Sequence, residues 1–385
     1  MFNVRRRMKK TIFILSILFA FSACTHPAKD MDKELAVIDF GGNVQNSASD
    51  ILSLSFLKLQ TSDNCLLGAV SQIRELKGYY YLLDAFVSRK AYVFDKQGNF
   101  VTMIGNTGNA PGEYISPSSL LVDEVKGILS VVDPSQHKII NYSLDDYHFL
   151  SESKIPFSSS FVEKLSDNEL AWYVSDYQGD APHYGVYVTD NDVQTKKKLL
   201  ELEFVSAYKL GMNRKIYSLD HSVYAYSHYS PVLYHVQSDS VSPVYEFRFG
   251  KYQYPSLDFF QKEGANFKNY INVLMESSYV NFYEVFESER LLCVPYFVEQ
   301  TMYFGFYDKD SGRIYNYEQK DIQEQLQVGA FSSPVGVTSD GRFVSLLRPG
   351  LLKEMKGKGI VLNKDLAKLV DESNEDDNPI LLFLH

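Results

Sequence analysis

Three histidines, His221, His228 and His235, stand seven residues apart in a segment crowded with tyrosine. Imidazoles can hold a metal, but seven is an odd step on a strand, so successive rings point to opposite faces. Only a turn at Ser230-Pro231 would bring two of them together, and neither a metal site nor a cofactor is expected. The same segment, YAYSHYSPVLYH, offers a different chemistry through Tyr226, His228 and Tyr229. The stretch DYQGDAPHY at 176–184 ends in two similar residues, His183 and Tyr184. Loops of this kind suit sugars or peptides, which stack on rings and hydrogen-bond at their edges. A third candidate is the connector GNTGNAPGEY at 105–114. It lacks the Gly-Lys-Ser/Thr ending of a phosphate loop, and its Gly and Pro fit a sharp passage between strands. Glu113 and Tyr114, at its end, are placed where they could line a central opening. No GxSxG or HExxH pattern occurs, and no acid pair is singled out by spacing. An enzyme would have to gather residues distant in sequence.

A cysteine near the start carries a separate chemistry. Lys9 and Lys10 precede an apolar run, Thr11 to Phe21, too short to span a bilayer as a helix. Ser22, Ala23 and Cys24 follow at once, a layout that resembles a bacterial lipoprotein signal. It predicts cleavage before Cys24 and acylation of that residue, which ties the chain to membrane lipid. Two or three acyl chains hold firmly where one would be marginal.

Loss of residues 1–23 leaves 362 residues, with 33 basic against 48 acidic, a net charge of −15. So acidic a body argues against nucleic acid as a partner. Aromatic residues are 14% of the chain, and the 28 tyrosines suit half-buried strands that need an apolar body and a wet hydroxyl. Besides Cys24 there remain Cys65 and Cys293, far apart and in apolar surroundings, which reads as two buried free thiols.

The elements that must position these residues repeat. An apolar strand, a short Asp/Asn/Ser/Gly turn and a second strand recur at 93–100, 141–149, 186–193, 234–241, 306–315 and 361–366. Landmarks in these turns are 49, 46, 47, 71 and 55 residues apart. Such a period, with strands in every unit, indicates four-stranded blades around an axis. The long steps contain a helical insertion at 255–277 and a Gly- and Lys-rich loop at 348–359. Closure is expected from NPILLFLH at the C-terminus pairing with strand material near the N-terminus, either Leu35–Phe40 or Ile51–Gln60. The acidic run 371–377 reads as a solvated turn, since it lacks the ligand spacing of a calcium loop.

Residues 91–142 carry the most recognisable stretch. Phe94, Asp95, Gly98 and Phe100 form an FDxxGxF hairpin, Gly105 to Tyr114 a connector ending PGEY, and Val131 to Asp133 a strand ending VxD. This resembles an NHL-type blade junction and, more closely, the six-bladed β-propeller lipoproteins of Bacteroidota. The resemblance implies an all-β fold, a six-bladed β-propeller of four-stranded antiparallel blades, and an envelope location, with no agreed activity. The expected organisation is a lipoprotein signal peptide at 1–23, a tether at 24–34 and the propeller at 35–385. The expected function is an outer-membrane lipoprotein that binds a peptide, glycan or partner protein. Two alternatives stand beside it, a propeller enzyme (glycan lyase or hydrolase) and a structural subunit of an envelope complex.

Overall fold

The computed structural model describes residues 35–41, 47–174, 182–206, 214–263 and 267–385. Cys24, its flanking segments and the first part of the 176–184 stretch lie outside them. The strands form six sheets of sequential antiparallel hairpins. Blade 1 begins with Val70–Leu76, blade 2 with Ser119–Asp123, blade 3 with Ser159–Ser166 and blade 4 with Ile216–Leu219. Blade 5 opens on a broken strand, Phe282–Tyr283 and Phe286–Glu287, and blade 6 on Gly336–Val337. First strands of neighbouring blades touch one another, so they make the inner ring. The chain is a six-bladed β-propeller.

Local sequence explains the blades. The second strand of blade 1, Tyr79–Asp84, reads YYYLLD with five of its six residues buried. A strand covered on both faces needs such a run rather than strict alternation. Tyr80 and Leu82 face blade 6, whereas Tyr81 and Leu83 face blade 2. Each of six apolar clusters lies between two adjacent blades in this way. Trp172 is fully buried between blades 2 and 3, its indole N–H donating to Thr189 Oγ1 at 2.9 Å.

Five of the six repeated turns join the third and fourth strands of blades 1 to 5. Asp95, Asp190 and Asp308 close three of them by accepting backbone N–H groups within their own turn. The sixth does not. Asn363 instead caps the helix Lys364–Asp371, its Oδ1 accepting from Asp365 N at 3.0 Å. Blade 6 takes its outer strand from the N-terminal side: Leu54–Lys58 pairs with Ile380–Leu384. No hairpin is then needed at 361–366, which corrects the repeat count but not the number of blades. Residues 348–359 also differ from expectation. Pro349–Gly357 is a helix, since Pro at its first turn lacks only an N–H that no helix uses. The insertion at 255–277 is helical as expected, in two pieces, Leu257–Glu263 and Phe267–Glu276.

Closure is clasped by Asn378. Its side chain donates to Gln60 O (2.8 Å) and Cys65 O and accepts from Leu67 N at 2.8 Å. Leu35–Phe40 has another role: Ala36–Asp39 adds a fifth strand, in parallel, to the outer edge of blade 4. Phe40 then wedges against blade 5, where a Cβ on Gly305 would meet its ring at 2.4 Å. Cys65 and Cys293 are buried and free. Burial pushes the Cys65 thiol up to about 11.

Candidate functional site

In blades 1, 2 and 6 the connection into the first strand and the segment between strands two and three lie at one end of the ring. Antiparallel order requires this. Asp84 and Asp133 close the second strand in blades 1 and 2 and tie these segments together. Asp84 accepts from Gly68 N at 2.6 Å and Val87 N at 2.9 Å; Asp133 accepts from Ile115 N at 2.6 Å and Ser135 N at 2.9 Å. Burial opposes their ionisation, but the converging N–H groups outweigh it and hold both carboxyls below the ordinary range. The VxD ending is thus a clamp on the entering loop, and what it clamps is Ser116–Ser118.

Those loops enclose a cup of about 480 Å³ at the axial mouth. Ser71, Ser116, Ser118, Ser160 and Ser333 share its wall with Phe86, Phe161, Phe286 and three prolines. Phe86 is half exposed on the rim. The charged residues in the lining are Arg89, Arg214 and Glu284.

Beneath the cup the axis is filled by polar side chains, not by an apolar core. Gln72 bridges blades 1 and 2 as a backbone strand would, donating to Leu120 O at 3.0 Å and accepting from Leu120 N at 2.7 Å. Glu163, 1% exposed, accepts from Arg74 Nη2 (2.5 Å) and Arg214 Nη2 (2.6 Å) on one oxygen and from Ser218 (2.9 Å) on the other. Burial opposes its charge, but the two guanidinium groups and Ser218 win and hold the carboxyl low. Arg214 Nε donates to Ile216 O at 2.7 Å. Burial and the nearby Arg74 bring its pKa down to about 10. For Glu284 burial dominates over Lys215 and Ser333, and its carboxyl is pushed up.

The residues singled out in sequence occupy other positions. Tyr226 is buried between blades 4 and 5. Its hydroxyl donates to Arg214 O at 2.8 Å and accepts from Val285 N at 3.2 Å, so it joins blades 4 and 5 and fixes the backbone at Arg214. His228 and Tyr229 do not form an exposed loop. The helices Leu257–Glu263 and Phe267–Glu276 cover them, with His228 Nε2 2.8 Å from Tyr270 Oη and Tyr229 Oη accepting from Ser206 N at 3.0 Å. Burial, with Lys215 nearby, lowers the His228 pKa to about 3. The insertion and the Tyr-rich loop, read as separate features, pack on each other. His183 and Tyr184 start the third strand of blade 3, half-buried, and His183 Nδ1 is buried without a hydrogen-bond partner.

Glu113 and Tyr114 turn away from the axis. Tyr114 is buried between blades 1 and 2, its hydroxyl donating to Ile104 O at 2.5 Å and accepting from Ala91 N at 3.1 Å. Glu113 accepts from Ala110 N at 3.0 Å within its own connector. Both stabilise the blade junction. The histidines at 221 and 228 flank the strand Ser222–Tyr226 at opposite ends, and no cluster able to hold a metal occurs among the described residues. Sequence reasoning missed Arg74, Glu163 and Arg214. The available signal was a charged residue inside a first strand, as in VSQIREL and SSFVEKL.

Comparison with known proteins agrees with this architecture. A family model described as a 6-bladed beta-propeller matches residues 27–345. A crystal structure from Bacteroides fragilis, named "Putative exported protein", is 38% identical, covers 91% of this chain and 99% of its own, and superposes with a TM-score of 0.86. A member of another family (DUF4221) from Bacteroides vulgatus is 7% identical, covering 87% of this chain and 98% of its own, with a TM-score of 0.51; it shares the fold alone. Among curated proteins none matches. With five-sixths of its length matched and a relative alike nearly end to end, the chain belongs to this family of six-bladed β-propellers.

Proposed function

We propose that the protein is an exported, envelope-anchored binding module whose axial cup takes a peptide, a glycan or a projecting piece of a partner protein. The cup carries this reading. Its volume lies within the range of small-ligand sites. Its wall combines serine, phenylalanine and proline, residue types that offer hydrogen bonds to edges and stacking to faces. The carboxylate best placed at the axis, Glu163, is committed to two arginines, which suits a fixed scaffold more than acid–base turnover. Export fits the basic and apolar start of the chain and the exported relative. Acylation at Cys24, with the outer membrane as destination, is part of the proposal. No helix of the described residues is long and apolar enough to cross a membrane.

The test compares the wild-type protein with Ser116→Trp, which fills the cup from its wall. Glycans and peptides retained from envelope extract are identified by mass spectrometry. Loss of specific ligands in the variant, at unchanged thermal midpoint, supports the cup; an identical retained set removes it. In parallel, Cys24→Ala should move the protein from the membrane to the soluble fraction and abolish palmitate labelling.

A further inference from the structure

The axis carries guanidinium groups whose donors are only partly used. Arg74 and Arg214 share one oxygen of one carboxylate, that of Glu163, each through Nη2. Their Nε atoms donate to Leu120 O and Ile216 O. The Nη1 group of each has no hydrogen bond among the described residues. Two largely buried guanidinium groups thus share one carboxylate oxygen, while Glu284 and Glu287 also line the small cavity beside them. N–H donors left unpaired on a largely buried cation are costly, so the arrangement has room for a further acceptor, and a charged one bonds most strongly. Arg214 lines both the cup and the small cavity under it. A second cation, Arg89, lies in the cup wall with no ion pair among the described residues. Its backbone is held left-handed at φ 54° by the turn that follows Asp84.

We infer that the axial cup recognises a carboxylate-bearing ligand, its acid group seated on Arg214 and its remainder against the serine, phenylalanine and proline wall. This deepens the binding reading above and rests on it. Guanidinium suits the task because its planar N–H groups match a carboxylate in geometry and it keeps its charge on partial burial. Glu284 shares the cup wall, where burial opposes its charge while Lys215 and a hydrogen bond with Ser333 favour it. Carboxylates of this size have two sources in an envelope, uronic acid sugars and peptide C-termini. The chemistry at Arg214 is common to both.

Titration calorimetry on the full chain separates them. One matched pair is a glucuronosyl disaccharide and its methyl ester; the other is a tripeptide and its C-terminal amide. The acid member of at least one pair should bind about tenfold to a hundredfold tighter than its neutral partner, the range of a charge-assisted hydrogen bond. In Arg214→Gln that preference should shrink to within about twofold. Because Arg214 also braces Glu163, Arg89→Ala gives an independent reading: a few-fold weaker acid binding with an unchanged thermal midpoint. Equal affinity for acid and neutral members overturns the inference while leaving the cup a binding site. Absence of acid binding in both pairs overturns it as well, and the retained-ligand comparison with Ser116→Trp then decides the cup by itself.

Discussion

The spaces between blades and the space along the axis are built on opposite principles. Between blades, six clusters of Leu, Val, Ile, Phe and Tyr are packed from strands covered on both faces. Along the axis, Gln72, Arg74, Glu163, Arg214 and Ser218 form a polar network with cavities above and within it. Burial of apolar area drives folding at about 25 cal/mol per Å², and the interblade clusters supply it. A buried ion triad is seldom needed for stability, because desolvation offsets most of its attraction. The contrast separates what holds the ring from what the ring presents.

Single and combined substitutions can break that contrast. Trp172→Ala should cost about 3–5 kcal/mol in urea unfolding, through lost transfer energy and the cavity left behind. Glu163→Gln should cost a similar amount, about 3–5 kcal/mol, since it strands two cations. Replacing Arg74, Glu163 and Arg214 together by apolar residues of similar volume should be close to neutral or even stabilising. If the triple change were as damaging as Glu163→Gln alone, the axis would be a structural core after all.

Next in size is the clasp. Asn378→Ala should cost about 1–3 kcal/mol, leaving Gln60 O, Cys65 O and Leu67 N without their side-chain partner, measured as a fall in unfolding midpoint. His228 should show itself in pH dependence. Its pKa is about 3 in the fold and near 6.5 when unfolded, so between those values the unfolded chain holds a proton that the folded chain lacks. Stability therefore falls as pH drops from about 6.5 towards 3, by up to about 1.4 kcal/mol per pH unit, and His228→Phe should flatten that slope. The smallest effect belongs to the rim: Arg89→Ala should change stability by less than about 0.5 kcal/mol, being exposed and without an ion pair among the described residues.

Which parts were legible beforehand follows from how local each feature is. The turn at 93–100 could be read because Asp95 and Gly98 do their work within a few residues: Asp95 accepts from Gln97 N and Asn99 N, and Gly98 takes φ +81°. Pairing of the C-terminal strand with N-terminal material could be read because both segments are apolar and otherwise lack a partner. The turn at 361–366 was misread since Asn363 caps a helix with the same residue types that close a hairpin. His228 and Tyr229 looked like an open ligand loop because nothing in their own segment shows that helices thirty to forty residues later cover them.

The sequence by itself determined the blades: strand after strand with apolar residues on both faces, joined by turns whose chemistry is local, has few other ways to bury its surface. Only the tertiary structure decided the axis. Blades 1, 3 and 4 contribute side chains there, Arg74 and Arg214 lying 89 and 51 residues from Glu163 in sequence, and a charged side chain such as Glu163 reads as surface until the ring closes around it. Closure brings Arg74 and Arg214 to the same carboxylate, and that meeting is a property of the ring geometry that no single segment encodes.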